Sequence, residues 1–257
     1  MDGSLRVAAI LCLLVTENAP AQDSWHGTAV AVMRTPREIA IAADSRVVRS
    51  DSLSEALQVC KIRRAGGIYF VAHNLVEDPA SGFDIYEIAD QACREGTTIS
   101  AKAQLFDSLV VGPLIRALVR IRTMSPGSFR KHFVEQAASG IIFAGFLDHV
   151  PVLIARRLVV VNPDSAQFSL SIVRRECPGV WCMSGTTTFF VAPDEAVSRF
   201  RLAYPYYQRM RPAEVVQQFV EMRIRDHVPD VGPPVDVVRI TERGAEWIRR
   251  KAGCAEE

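Results

Sequence analysis

The chain has 257 residues, 49% of them apolar and 23% charged, with 30 basic side chains against 29 acidic ones. That length suits one large domain or two small ones, and the apolar share is too high for a disordered chain. A net charge of +1 gives no electrostatic footprint for nucleic acid or for an anionic membrane surface, and no apolar run reaches the roughly 18 residues of a membrane span.

Residues 1–21 read as a signal peptide. Arg6 precedes the apolar run 7–15, and Ala19-Pro20-Ala21 supplies the small-residue cleavage pattern. Its removal would export the chain, to a periplasm or outside the cell. Of the 6 cysteines, Cys12 would leave with the signal. Cys60, Cys93, Cys177, Cys182 and Cys254 remain, an odd set with at least one member free or joined to another chain. Cys177 and Cys182 form the best local pair, because Pro178-Gly179 makes a turn between them; buried, inert cysteines are the alternative. No C-x-x-C and no histidine cluster with zinc spacing occurs, so no metal site is expected.

Strand patterns at 28–34 and 38–43 are joined at Thr35-Pro36-Arg37, and a second pair at 59–63 and 68–72 is joined at Ala65-Gly66-Gly67. The stretch 84–94 puts Ile85, Ile88, Ala89 and Ala92 on one helical face, and Gly96 follows as a stop. A second helical stretch, 100–122, should kink or split at Gly112-Pro113. Strand signals return at 140–146, 152–156, 158–161, 168–173 and 180–183. Helices at 193–202 and 212–225 follow, with Pro193 and Pro212 at their starts. A strand at 235–240 and a short charged helix or tail close the chain. Strands in runs and helices in pairs imply an α+β fold. The arrangement expected is a four-layer αββα sandwich, two antiparallel sheets face to face with helix pairs outside.

Common catalytic motifs are absent: there is no G-x-S-x-G, H-E-x-x-H, P-loop or G-x-G-x-x-G. His26, His73, His132, His149 and His227 are scattered through structural contexts. One constellation stands near the start. Thr28 opens the first strand, Asp44 ends the second sixteen residues later, and Lys61 falls in the third strand pattern. Only four of the 30 basic residues are lysines (Lys61, Lys102, Lys131 and Lys251), so a lysine at this place is informative. A threonine hydroxyl needs a base, and the α-amine of a chain-terminal threonine, with an ordinary pKa of about 7.7–8.0, can serve as one. A compact ammonium close by favours the deprotonated hydroxyl and lowers the amine's pKa, and a carboxylate holds that ammonium in place.

Gly27-Thr28 with its following strand, then Ala43-Asp44-Ser45-Arg46, then Lys61, resembles the start of a proteasome β-subunit or of its bacterial single-type relative, both N-terminal nucleophile (Ntn) hydrolases. The block order is similar to the family's from Thr28 to about Ile240. The resemblance implies self-cleavage at Gly27–Thr28, which exposes Thr28 as the nucleophile. It also implies a propeptide-like segment at 22–27, a hydrolase domain over 28–245 and a charged tail over 246–257. Trp181-Cys182-Met183-Ser184-Gly185 is similar to the family's Ser-Gly motif and implies that Ser184 supports the nucleophile. Arg225-Asp226 is similar to the pair before the last long strand and implies a supporting role for Asp226. Two places depart from the pattern. The serine and paired glycines expected after Asp226 are replaced by 228–234, with Gly232 alone. The paired glycines expected after 68–72, one of which offers the oxyanion-binding N–H, are replaced by His73-Asn74-Leu75. The resemblance implies a homo-oligomeric ring acting on a peptide or other amide substrate, with no metal or organic cofactor. A non-catalytic structural or binding subunit and a small-molecule Ntn amidase or acylase are the alternatives.

Overall fold

A computed structural model of the chain describes residues 25–26, 28–49, 56–134, 136–182 and 185–254. The expected signal peptide at 1–21, Gly27 and Ser184 lie outside the described residues.

In chain order, β1 (Trp25–His26) leads through Thr28 to β2 (Val30–Arg34), and a turn at Thr35 leads to β3 (Glu38–Asp44). Short strands follow: β4 (Arg46–Arg49), β5 (Ala56–Gln58) and β6 (Ile62–Ala65). Then come β7 (Ile68–Asn74), β8 (Glu77–Asp78) and β9 (Phe83–Asp84). Helix α1 (Ile85–Glu95) begins at Asp84, whose carboxylate accepts the N–H groups of Tyr86 at 2.7 Å and Glu87 at 3.2 Å. Thr98 caps α2 (Ile99–Met124) in the same way. Helix α3 (Pro126–Phe129) and a π-helical turn (Arg130–Val134) lead into β10 (Ser139–Leu147), β11 (Val150–Val161) and β12 (Ser169–Cys177). The chain closes with β13 (Thr187–Val191), α4 (Asp194–Ala203), α5 (Pro212–Arg225), β14 (Val235–Thr241) and β15 (Gly244–Arg249).

The molecule is a mixed α+β fold whose strands all pair antiparallel. One sheet has the order β13-β2-β3-β14-β15, a second β12-β11-β10-β7-β6, and a small third β5-β4-β1-β8-β9. Alternation along the strands divides the apolar side chains among three cores. Ala31, Met33, Ala40 and Ala42 of the first sheet share a core with Phe200 of α4 and with Val216, Phe219 and Val220 of α5. The other face of that sheet, with Val30, Val32, Ile39 and Ile41, shares a core with Val71, Ile142 and Leu153 of the second sheet. Phe70, Phe143 and Ile154 of the second sheet share the third core with Ala89 of α1 and with Phe106, Val110 and Leu118 of α2.

Several expectations need correction. Helix α2 runs unbroken through Pro113, because Val110, Leu114, Ala117 and Leu118 on either side are buried and packing outweighs the missing N–H. The two strands expected on either side of Arg157 are one, β11. Arg156 does not break it, since its guanidinium is buried against Asp107 at 2.9 Å and Glu176 at 3.0 Å. Of the strand expected at 180–183, residues 180–182 lie instead in a turn closed by a bridge between Gly179 and Cys182, Met183 is outside the described residues, and the edge strand falls later, at β13. The charged stretch after β14 is the strand β15 rather than a helix or loose tail, with Trp247 edge-on to Tyr69. Lys61 lies one residue ahead of β6, in an irregular link from β5.

Cys177 is bonded to Cys182, and Cys60 to Cys254 across 194 positions; Cys93 is free and buried. Among the described residues, no helix is long and apolar enough to cross a membrane.

Candidate active site

The site is organised around one carboxylate. Asp44 ends β3 and is fully buried. Its Oδ1 accepts the Ala29 N–H at 2.8 Å and the Lys61 ammonium at 2.8 Å. Its Oδ2 accepts the N–H groups of Arg46 at 3.0 Å and Gly232 at 3.1 Å. The Asp44 N–H donates in turn to the Ala29 carbonyl at 3.2 Å. The residue after Thr28 is therefore hooked on both sides to Asp44, and the same oxygen that receives its N–H receives Lys61. Thr28 itself is half-buried.

Lys61 has no strand ladder of its own and is held by its surroundings. The Val59 N–H donates to the Ser45 carbonyl at 2.8 Å, and the Lys61 ammonium donates to the Arg46 carbonyl as well as to Asp44. Its side chain is 1% exposed. Burial draws the ammonium below the ordinary lysine range, and the Asp44 carboxylate opposes this. Burial pushes the Asp44 carboxyl up, and Lys61 with the Ala29 and Gly232 N–H groups pulls it back. A lysine so placed gives up its proton more readily than an exposed one, which an arginine would not do.

Gly232 is required by close approach. A Cβ there would lie 2.9 Å from Cδ and 3.2 Å from Cβ of Arg46. The glycine thus lets the loop ahead of β14 descend onto Asp44, and its carbonyl accepts the Ser45 N–H at 3.2 Å.

Ser184 is outside the described residues, but the carbonyl of its neighbour Gly185 accepts from the Arg34 guanidinium at 3.2 Å. Arg34 is the far end of β2 from Thr28, four steps of roughly 3.4 Å beyond Val30. Asp226 follows α5 and is bound at 2.8 Å by Arg199 of α4, with Arg223 at 3.5 Å. The carboxylate whose charge bears on Lys61 from this loop is Asp230.

Where paired glycines were expected, Asn74 adopts the left-handed φ of 65° that glycine favours. The Leu75 N–H donates to the Ala138 carbonyl at 3.1 Å. The buried His73 ring occupies space that a side chain at Gly140 would fill, since a Cβ there would lie 2.2 Å from its Nε2. Burial pushes the His73 imidazole down to about 4.

No family model and no curated protein matches the chain.

Sequence reasoning brought Thr28, Asp44 and Lys61 to one place on residue type and spacing. It missed Gly232 as a donor, the Arg46 carbonyl as an acceptor, and the Cys60–Cys254 bond beside Lys61. Gly232 alone left a visible signal, as the one glycine in its loop.

Proposed function

We propose that this chain is a threonine-type Ntn hydrolase that resembles a proteasome β-subunit and cleaves peptide or other amide bonds. The observation that carries the reading is the Asp44 carboxylate, which binds Lys61 and the N–H next to Thr28 through one oxygen. A chain cut at Gly27–Thr28 places a free amine and a hydroxyl on the same residue beside that pair. The Thr28 hydroxyl attacks the substrate carbonyl while the Thr28 amine, through a water, takes its proton and later passes it to the leaving amine. Lys61 favours the deprotonated hydroxyl, Asp44 orients Lys61, and water releases the acyl group from Thr28.

The three cores support the four-layer αββα arrangement for this reading, with α1 and α2 outside one sheet and α4 and α5 outside the other. The substrate slot is suggested by β1. This segment, just ahead of Thr28, lies as a strand between β4 and β8, with Trp25 opposite both Arg49 and Glu77. Release of β1 would free two strand edges at the nucleophile, and an extended peptide is the ligand whose backbone fits between them. The two disulfides support an exported chain.

N-terminal sequencing of the native protein tests the reading: a terminus at Thr28 supports it, and a terminus at Gln22 overturns it. The second reading, a non-catalytic structural or binding subunit, is favoured by the Leu75 N–H, which is committed to Ala138 where an oxyanion donor was expected.

A further inference from the structure

The C-terminal residues return to the proposed site. After β15 the chain does not leave the fold. The Lys251 N–H donates to Asp236 Oδ1 at 2.6 Å, and Asp236 is buried in β14 opposite Ala43, next to Asp44 in register. Three residues on, a turn from the Cys254 N–H to the Lys251 carbonyl at 3.3 Å presents Cys254 to Cys60, with the two Cα atoms 5.8 Å apart. Cys60 immediately precedes Lys61, in the irregular link between β5 and β6. One end of that link is tied by the Val59 N–H to Ser45, and the covalent tie to the C-terminal segment holds the other side.

We propose that residues 250–254, fastened by the Cys60–Cys254 bond, form a strap that positions Lys61 and keeps it enclosed, which makes Cys60, Cys254 and Lys251 positioning residues for the hydrolytic site. The inference rests on the reading of Lys61 given under Proposed function. Among the described residues, charged or polar groups from separate elements bear on the Lys61 ammonium. They are Asp44 at the end of β3, the Arg46 carbonyl on β4, Asp230 from the loop ahead of β14, and Lys251 from the strap. Lys251 is the one cation among them. It opposes a second positive charge at Lys61, as does the burial of the ammonium. With the strap released, both effects weaken, and Lys61 moves towards an ordinary exposed ammonium.

The scarcity of lysine makes this measurable. With Lys61, Lys102, Lys131 and Lys251 the only lysines, selective isotope labelling gives four side-chain signals, and the one lost in Lys61→Arg is that of Lys61. In Cys254→Ser, the titration midpoint of Lys61 should rise by about one pH unit or more, and turnover should fall about tenfold, mainly in kcat. If Cys254→Ser does not fold, the same signal is followed in the folded wild-type chain under excess dithiol. The dithiol takes up the bond's oxidation as its own disulfide and leaves Cys60 and Cys254 as two thiols. Both cysteines are half-buried, within reach of such a reagent. A Lys61 midpoint that stays put in a folded chain lacking the bond overturns the proposal and leaves the bond a simple staple. A wild-type chain that shows no turnover removes the hydrolase reading instead. The Lys61 titration then still decides whether the strap acts on it.

Discussion

In the proposed reading Thr28, Asp44 and Lys61 carry the chemistry through side chains of distinct type, and Thr28 and Lys61 each make a separate prediction. Thr28→Ala should abolish both self-cleavage at Gly27–Thr28 and turnover. Thr28 is half-buried, so the stability change should stay within about 0.5–1 kcal/mol in denaturant titration. Thr28→Ser keeps the hydroxyl and the amine and should retain part of the activity. Lys61→Arg should reduce turnover nearly as far as Lys61→Ala. A guanidinium keeps the charge but does not deprotonate, and it is too large for a slot bounded by Asp44 at 2.8 Å and the Arg46 carbonyl. Lys61→Ala should also lower stability by about 3–5 kcal/mol, since it leaves the Asp44 carboxylate buried without its countercharge. Wild-type turnover in Lys61→Arg would show that proton transfer does not involve this residue. These three positions stood out in the sequence because hydroxyl, ammonium and carboxylate are not interchangeable with other side chains. Asp226 carries a signal of the same kind. In the structure this carboxylate is held by Arg199 at 2.8 Å and Arg223 at 3.5 Å.

At the scale of elements, the loop that carries Gly232 is the part of the site with least side-chain signature and most geometric demand. Gly232→Ala should push this loop away from Asp44, because its Cβ would meet Arg46 at 2.9 Å and 3.2 Å. The expected loss is about 1–3 kcal/mol of stability, by the usual cost of overpacking, with a clear fall in turnover. A crystal structure of an active, equally stable Gly232→Ala would refute this account of the loop. Elements whose pattern lies within a dozen residues were readable. Helix α5 is marked by Pro212 at its start and by Val215, Val216, Phe219 and Val220 on one face, and the β2–β3 pair by its alternating apolar run. Elements decided by distant partners were not. The extent of β11 depends on Asp107 of α2 reaching Arg156, and β13 depends on the free edge of β2.

For the whole molecule, His73 ties stability to acidity. Burial holds its imidazole at about 4 in the folded chain, against about 6.5 in an unfolded one. As pH falls below about 6.5 the unfolded chain takes up a proton that the folded chain refuses until about 4. Stability is therefore complete above about 6.5 and is lost on the way down, by about 3 kcal/mol in all. Denaturant titrations between pH 7 and 4 check this, and the His73 share of the slope should be absent in His73→Gln. A ring assembly belongs to the proposed reading as well. Light scattering at micromolar concentration should find a homo-oligomer, and a monomer would argue for a separate, unassembled hydrolase. The Cys60–Cys254 bond closes a loop of 194 positions. In the chain-entropy account that constraint is about 5 kcal/mol against the unfolded state, so reduction should lower the melting temperature as well as disturb Lys61.

By itself, the sequence determined what acts within short range. Apolar period, prolines at helix starts and turn residues set out most strands and the four longer helices, and residue type with a spacing of sixteen brought Thr28 and Asp44 together. Tertiary structure alone decided the second half of the site. The donors on Asp44 Oδ2 are backbone N–H groups, which nearly every residue possesses, so the one trace Gly232 leaves in the sequence is that of a lone glycine in its loop. The partner of Cys60 lies 194 positions away, where nothing in the sequence pairs the two and the return of β15 beside β14 brings Cys254 to it.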